Sequence, residues 1–270
     1  HGADIRVVNF AIVYENNYYS FSTLAEAIEV VKAGETIELV RDITDAEPMT
    51  IPAGKTVVLD LKGHTISGVD TATGSYGLIT NKGNLTIQGT GKLELSATNN
   101  RGWNAYSSVI SNQRGTLTVN GGTIEHLGGT DMAYGIDNLT NGKGTSAVTT
   151  VKDATVKSTY RAIRQFLNGI EATNELYVKA GAVVEGANKS IWMQDPSKKA
   201  NKGKLVVESG AQVHSVYLDV TEGSTEWPVS VSVAASSLTD QSENKGLYTE
   251  NIPDGYAVVN ENGVWKVSYT

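Results

Sequence analysis

Short apolar runs recur along the chain from about residue 56 onward. Segments such as Leu85-Thr86-Ile87 and Leu117-Thr118-Val119 alternate apolar and polar positions, and this alternation predicts β-strands. The last apolar residues of six such segments follow one another at steps of 26, 32, 32, 27 and 29 residues: Leu61, Ile87, Val119, Val151, Val178 and Val207. A second apolar column follows five or six residues after each segment, usually beyond a Gly turn: Ile66, Leu93, Ile124, Val156, Val183 and Val213.

A third apolar column precedes the same strands at steps of 31, 26, 27 and 28 residues: Ile79, Ile110, Ile136, Ile163 and Ile191. A repeat of this length with three short strands cannot bury its own apolar face, so neighbouring repeats must stack on one another. The sequence therefore predicts an all-β fold, a right-handed parallel β-helix of about six coils.

Two other patterns predict how the ends of the coil are covered. Thr23 and Glu26 have capping-box spacing, and together with the apolar spacing that follows they predict a short amphipathic helix from Thr23 to about Ala33. Near the C-terminus, Asn262-Gly263 is a strong signal for a β-hairpin. We therefore divide one structural unit into N-terminal strands with a capping helix (1–45), the parallel β-helix (46–220) and C-terminal strands with a hairpin cap (221–270).

The residue after each Ile of the third column should point outward, because side chains alternate between the two faces of a strand. Neighbouring coils lie about 4.8 Å apart, so Asp137, Arg164 and Trp192 should span roughly 10 Å on a flat, solvent-facing sheet. A carboxylate, a guanidinium and an indole in line are candidate ligand-binding groups for a sugar. The alternative is an Asp137–Arg164 cross-strand ion pair with Trp192 stacked beneath the guanidinium. The whole column is Thr80, Ser111, Asp137, Arg164 and Trp192.

Other polar side chains at repeated positions favour structural roles. The amides two residues after each Ile are expected to stack inside a turn, each bonded to the next: Asn81, Asn112, Asn138 and Gln165. His126 is expected to be a surface histidine. Glu125, Asp137 and Asp195 are carboxylates of the same region, but their registers do not form the facing pair that a glycosidase needs.

Composition and charge narrow the function classes. The chain has 22 basic and 29 acidic residues, a net charge of 22 − 29 = −7, which argues against a nucleic-acid partner. No apolar run approaches the roughly 18 residues of a membrane span. There is no Cys, which excludes disulfides and thiolate chemistry, and the histidines lack metal-ligand spacing. We therefore predict no metal, no cofactor and no catalytic residue.

The first third of the chain carries a family resemblance. Three segments form its pattern: Phe21 to Ile28, Gly34 to Leu39, and Ile51 to Ile66. Over residues 21–68 the chain resembles the pectate-lyase-like β-helix modules of large bacterial surface proteins. The resemblance implies an extracellular or cell-surface module, part of a larger protein and often adhesive. The Asn-Thr-Asp, Asp-Asp and Gly-His-Gly motifs of polygalacturonase-like enzymes are absent, and Gly63-His64-Thr65 is only a fragment of the last.

Three functional hypotheses remain open at the level of sequence. The first is a non-catalytic module that binds a glycan or a host ligand along its flat sheet, with Trp192 as a contact. The second is a polysaccharide lyase or glycoside hydrolase, for which Asp137 and Arg164 are the candidate residues. The third is a virion fibre or decoration protein, since a β-helix also forms a stiff rod.

Overall fold

Each coil of the chain adds one strand to each of three sheets, and successive coils pair in parallel. The computed structural model describes residues 7–98, 105–129, 131–187, 189–195, 200–220, 229–242, 245–250, 252 and 254–270. We number the sheets 1, 2 and 3; they contain 12, six and eight strands, respectively. The six strands of sheet 2 correspond to about six coils. The predicted parallel β-helix is confirmed as a parallel β-solenoid.

The strands are short, as the apolar runs predict. From the N-terminus to the middle of the chain they are β1 (Phe10–Tyr14), β2 (Asn17–Phe21), β3 (Ile37–Leu39), β4 (Met49–Ile51), β5 (Thr56–Asp60), β6 (Thr65–Asp70), β7 (Tyr76–Asn81), β8 (Asn84–Gln88), β9 (Lys92–Ala97), β10 (Ser107–Gln113), β11 (Thr116–Asn120), β12 (Thr123–Leu127) and β13 (Ala133–Lys143). The others are β14 (Ser146–Lys152), β15 (Thr155–Ser158), β16 (Arg161–Ile170), β17 (Thr173–Val178), β18 (Val183–Gly186), β19 (Ile191–Asp195), β20 (Lys202–Val207), β21 (Gln212–Val213), β22 (Val216–Val220), β23 (Val229–Ala234), β24 (Leu247–Glu250), β25 (Tyr256–Glu261) and β26 (Val264–Tyr269).

The three sheets share a regular strand order. Sheet 1 runs β2-β1-β3-β5-β8-β11-β14-β17-β20-β23-β26-β25. Sheet 2 runs β6-β9-β12-β15-β18-β21, and sheet 3 runs β4-β7-β10-β13-β16-β19-β22-β24. Strand order therefore follows the chain by steps of one coil, which is the arrangement of a solenoid.

The apolar columns lie in register inside the coil. The predicted column from Ile79 to Ile191 is confirmed strand by strand, and its members are buried. Two predicted registers are wrong. Leu59, not Leu61, pairs with Ile87, and Val184, not Val183, pairs with Val156. Leu61 is also buried, although it lies in the turn after β5, so hydrophobicity does not distinguish the two leucines.

A single α-helix, α1 (Leu24–Val30), lies at the N-terminal end of the described chain. The capping box is confirmed, since the Thr23 side chain accepts from the Glu26 backbone N–H and the Glu26 carboxylate accepts from the Thr23 N–H. The helix ends before the predicted Ala33 because Val31 already has an extended backbone. Its buried residues, Leu24, Ala27 and Ile28, join the apolar core of the first coils. At seven residues it is too short to cross a membrane, and no other described helix is long and apolar enough.

Sheet 1 finishes in an antiparallel hairpin at each end. The predicted C-terminal hairpin is confirmed: β25 pairs with β26, and Asn262 (φ 53°) and Gly263 (φ 80°) form the turn. Strand β26 then pairs with β23 and so continues the sheet. At the other end β1 pairs with β2.

The predicted amide ladder forms inside the coil, with one change of member. Asn81 donates to Asn112 (2.8 Å) and Asn112 donates to Asn138 (2.8 Å), as expected for stacked amides. Asn138 then donates to Asn174 (2.7 Å) and not to Gln165. The longer Gln165 side chain instead reaches the backbone carbonyl oxygens of Asn174 and Lys204.

Candidate functional site

The predicted column on the outer face of sheet 3 is in register, but it is not exposed. Asp137 pairs with Arg164, and Arg164 pairs with Trp192, as the spacing predicts. The relative exposures of Asp137, Arg164 and Trp192 are only 0%, 2% and 2%. The prediction of a flat, solvent-facing site is therefore wrong for all three residues.

A second apolar layer explains this burial. Beyond the main core, a separate cluster lies on the outer face of sheet 3: Met132, Ala133, Tyr134, Tyr160, Trp192 and Tyr217, with Tyr106 and Tyr248 packed against it. Tyr134 and Tyr160 meet edge to face with ring centroids 6.2 Å apart. These rings remove the charged column from water.

Asp137 and Arg164 form a closed ion pair. The Arg164 Nε and Nη2 atoms donate to the two carboxylate oxygens of Asp137 at 2.8 and 2.7 Å, in the bidentate geometry typical of strong pairs. The guanidinium also lies over the rings of Tyr106, Tyr134 and Phe166. Burial disfavours its charged form, but the charge and hydrogen bonds of Asp137 raise the pKa of Arg164 above its ordinary value. The alternative interpretation of this pair as a cross-strand ion pair is confirmed.

Trp192 stacks on a different arginine from the one predicted. The Arg161 guanidinium carbon lies 3.6 Å from the centroid of the Trp192 ring. Arg164 is drawn the other way, toward Asp137 on the preceding coil, so it does not cover Trp192. The indole N–H donates to Asp219 at 3.2 Å. Since the ring is covered by Arg161 and is almost fully buried, it is not an open platform for a sugar.

Arg161 is the residue of this face that the sequence reasoning missed. It is 7% exposed, and its Nε and Nη1 atoms have no hydrogen-bond partner among the described residues. No carboxylate of the described chain forms an ion pair with it; its contacts are the rings of Trp192, Tyr160 (4.8 Å) and Tyr217 (5.5 Å). Burial lowers the pKa of Arg161. No signal in the sequence indicated it, because strict alternation puts a residue two positions before the inward-pointing Ile163 on the inner face, whereas its guanidinium lies over Trp192 on the outer face.

Lys189 brings a second cation to the same place. It lies two residues before Ile191 on the next coil, as Arg161 lies two before Ile163. Its ammonium nitrogen is 3.4 Å from the centroid of the Tyr217 ring, and burial followed by the nearby Arg161 charge lowers the pKa of Lys189. We call Arg161, Lys189, Trp192 and Tyr217 the Arg161 cluster. It lies beside the Asp137–Arg164 pair but contains no internal carboxylate.

An open groove of about 340 Å³ runs along the corner where the chain passes from sheet 2 to sheet 3. Glu125, Lys157 and Glu185 stand in register on three successive coils of its wall. Lys157 and Glu185 are 3.1 Å apart and are well exposed. We call this the corner groove, and it is lined by Glu125, His126, Leu127, Lys157, Ser158, Thr159, Glu185, Gly186 and Ala187.

His126 lies in the floor of the groove and not on the surface, so that prediction is wrong. It is 1% exposed, and its Nε2 atom lies 2.8 Å from the Ser107 hydroxyl oxygen. Its register partner on the next coil, Ser158, is also buried. The alternation that places Glu125 outward turns His126 toward the coil interior.

The corner groove and the Arg161 cluster are adjacent. Gly186 lines the groove, and a Cβ atom built on it would lie 3.0 Å from both the Arg161 Cα and the Tyr160 carbonyl oxygen. The backbone at Arg161 therefore packs directly against a residue that lines the groove, and Lys189 follows Ala187, another lining residue, by two positions.

The carboxylates of the region do not form a facing pair. Glu125 lies on sheet 2, where the Lys92 ammonium donates to it at 2.7 Å. Asp137 is bound to Arg164 on sheet 3, and Asp195 is buried near the Asn201 amide. Within the described ranges, no group of three or more His, Asp and Glu side chains is placed to hold a metal ion.

No protein-family model, no curated protein and no solved structure matches this chain. The site must therefore be interpreted from its own geometry. The resemblance of residues 21–68 to surface β-helix modules stays a prediction.

Proposed function

We propose that this chain is a non-catalytic β-solenoid module of a secreted or cell-surface protein and that it binds carbohydrate in the corner groove. The observation that carries the proposal is the groove itself, an open depression with Glu125, Lys157 and Glu185 on three successive coils and the hydroxyl residues Ser158 and Thr159 on the middle one. The surface location rests on the sequence resemblance of residues 21–68.

The lining of the groove suits sugar hydroxyl groups. A hydroxyl group both donates and accepts hydrogen bonds, and the groove offers carboxylate acceptors at Glu125 and Glu185 and an ammonium donor at Lys157. Its volume of about 340 Å³ falls in the usual range for small-ligand sites. The side chains are held in line by the solenoid, so a linear oligosaccharide can follow them from coil to coil.

The burial of the Asp137–Arg164 pair argues against the two candidate residues of the enzymatic hypothesis. A glycosidase or lyase needs an acidic or basic group that reaches the substrate. Both oxygens of Asp137 accept from Arg164 beneath a layer of tyrosines, so neither candidate residue of the enzymatic hypothesis faces the groove.

A glycan panel scored for retention and for cleavage tests the proposal. We expect retention of at least one glycan without new reducing ends or unsaturated products. Glu185→Gln in the groove should weaken that binding by roughly tenfold, which corresponds to about 1.4 kcal/mol. Glu208→Gln is the matched control. Glu208 is also partly exposed and paired with a lysine, Lys179, but it lies in the turn that follows β20, a strand of sheet 1.

Either of two results would contradict the proposal. Product formation by the intact protein would favour the enzymatic hypothesis. Equal weakening by Glu185→Gln and Glu208→Gln would mean that the groove does not hold the ligand.

A further inference from the structure

Arg161 is incompletely satisfied in a way that points to a ligand. A guanidinium carries five N–H donors, and buried donors of native proteins are normally bonded. Arg161 is more than nine-tenths buried. Its Nε and Nη1 atoms nevertheless have no hydrogen-bond acceptor among the residues that the structure describes. Arg164, three positions later on the same face, has the carboxylate that Arg161 lacks.

The aromatic contacts hold the Arg161 guanidinium in place without neutralising it. Trp192, Tyr160 and Tyr217 surround it at 3.6, 4.8 and 5.5 Å from their ring centroids. Cation–π contacts stabilise a charge but accept no hydrogen bond. The guanidinium is thus preorganised, and its charge remains available to an anion.

Lys189 adds a second positive charge beside Arg161. Two cations close together disfavour one another, and the lowered pKa of Lys189 has burial as its first cause and the Arg161 charge as its second. Asp219, near both cations, and Glu250, near Lys189, offset part of this charge, but neither carboxylate forms an ion pair with Arg161 or Lys189 in the described part of the chain. An anion bound by both cations would relieve the repulsion between them.

We propose that Arg161 and Lys189 form a subsite for an oxyanion, a carboxylate or sulfate group carried by the glycan in the corner groove. Both groups match the donors of a guanidinium, which binds planar or tetrahedral oxyanions through two parallel N–H bonds. Lys189 is the partly exposed and flexible member of the pair, so it moves aside to admit the group and then contacts it. This inference rests on the proposed function, since it names the class of glycan that the groove takes.

The experiment compares charged oligosaccharides with neutral counterparts of the same chain length. One arm uses uronic- or sialic-acid oligosaccharides and their carboxyl-reduced forms; the other uses a sulfated oligosaccharide and its desulfated form. We expect at least tenfold tighter binding of the charged member in one arm, and a fall in that preference as salt is raised. The arm that shows the preference identifies the source of the oxyanion.

Variants then locate the subsite. Arg161→Gln should remove the preference for the charged glycan while binding of the neutral counterpart is kept, and Lys189→Gln should reduce the preference about threefold. Lys179→Gln is the matched control. It removes one positive charge from the Lys179–Glu208 pair, which lies in the turns that follow β17 and β20 of sheet 1, and it should leave the preference for the charged glycan unchanged. Thermal unfolding of each variant checks that it is folded. Lys189 is only partly buried, so Lys189→Gln tests the subsite at a position where a substitution disturbs the packing less than at Arg161.

The outcomes separate this inference from the proposed function. Equal binding of charged and neutral glycans would overturn the oxyanion subsite and leave the groove as a glycan site. A preference that survives both Arg161→Gln and Lys189→Gln would also overturn the subsite. Retention of no glycan at all would overturn the proposed function, and the subsite with it.

Discussion

Two arginines on one strand, β16, meet opposite electrostatic environments. Arg164 is bound by both oxygens of Asp137, whereas Arg161 lies over aromatic rings and has no ion-pair partner among the described residues. The difference follows from the residue one coil earlier in each register: Asp137 precedes Arg164, and Tyr134 precedes Arg161. In a solenoid the partner of a buried charge is therefore chosen by the repeat position and not by nearness in sequence.

This comparison divides the outer face of sheet 3 into two parts. The Asp137–Arg164 part is internally neutral, so its role is to stabilise the stack of coils. In the Arg161 cluster two cations have no ion-pair partner among the described residues, and this is the part for which we propose a ligand. A buried charge that lacks a partner costs free energy, and such a cost persists most readily where it serves binding.

We expect the largest change in stability from breaking the Asp137–Arg164 ion pair. Asp137→Asn leaves the fully buried Arg164 charge without its carboxylate and should lower the free energy of unfolding by about 3–5 kcal/mol. Denaturant unfolding followed by circular dichroism measures the change. The double variant Asp137→Leu with Arg164→Met should be destabilised less than Asp137→Asn alone, because it removes both charges together. A larger loss in the double variant would contradict the ion-pair account.

A smaller effect is expected where the groove meets the Arg161 cluster. Gly186→Ala puts a methyl group 2.8 Å from the Ala162 backbone nitrogen and 3.0 Å from the Arg161 Cα, and backbone atoms do not yield easily. We expect a loss of about 1–3 kcal/mol in thermal or chemical unfolding, typical of overpacking. Gly74→Ala is the control, since nothing lies within 4 Å of its added Cβ. Equal behaviour of the two variants would show that the contact at Gly186 is not tight.

Replacement of Arg161 should cost almost nothing, in contrast to Asp137→Asn. Arg161→Met loses cation–π contacts of about 0.5–2 kcal/mol each but also removes a buried charge without an ion-pair partner. We expect the free energy of unfolding to stay the same or rise by up to about 1 kcal/mol, measured in the same denaturant experiment. A loss as large as that of Asp137→Asn would mean that Arg161 is as well satisfied as Arg164, and the two-part division would fail.

The smallest effect is on the titration of Lys189. Burial and then the Arg161 charge lower its pKa, so Arg161→Gln should move the pKa back up toward the ordinary value of a lysine. With a lowered folded-state pKa, the unfolded chain holds the proton longer, so stability rises as pH increases through that pKa; this rise should shrink in the variant. Side-chain NMR titration of Lys189 measures the shift. An unchanged pKa would show that the two cations do not interact.

Much of the fold is predictable because its signals are local and repeated. The capping box at Thr23 and Glu26, the Asn262-Gly263 turn and the isoleucine column each depend on a few residues at fixed spacing. The register error at Leu61 has a clear cause. The turn after β5 buries that leucine as fully as Leu59 in the strand, so the apolar pattern alone favours neither.

The site was only half predictable. The spacing correctly aligned Asp137, Arg164 and Trp192, because a period-two strand and a regular coil determine which residues are neighbours. Their exposure was mispredicted, because a side chain that points outward from a sheet is not necessarily in water. Tyr106, Tyr134 and Tyr160 each lie two to four residues before an Ile of the third column, but that spacing does not indicate that the three rings assemble into a covering layer.

The amino-acid sequence by itself determined the solenoid, the register of the isoleucine column, the capping box of the helix and the C-terminal hairpin, since each follows from periodicity or from the conformational preferences of a few adjacent residues. Only the tertiary structure decided which arginine is neutralised, which one stacks on Trp192, and where the groove opens. Those features depend on the distances among side chains of several coils. A guanidinium on a long, flexible side chain has several neighbours within reach, and the packing of all of them together selects its partner.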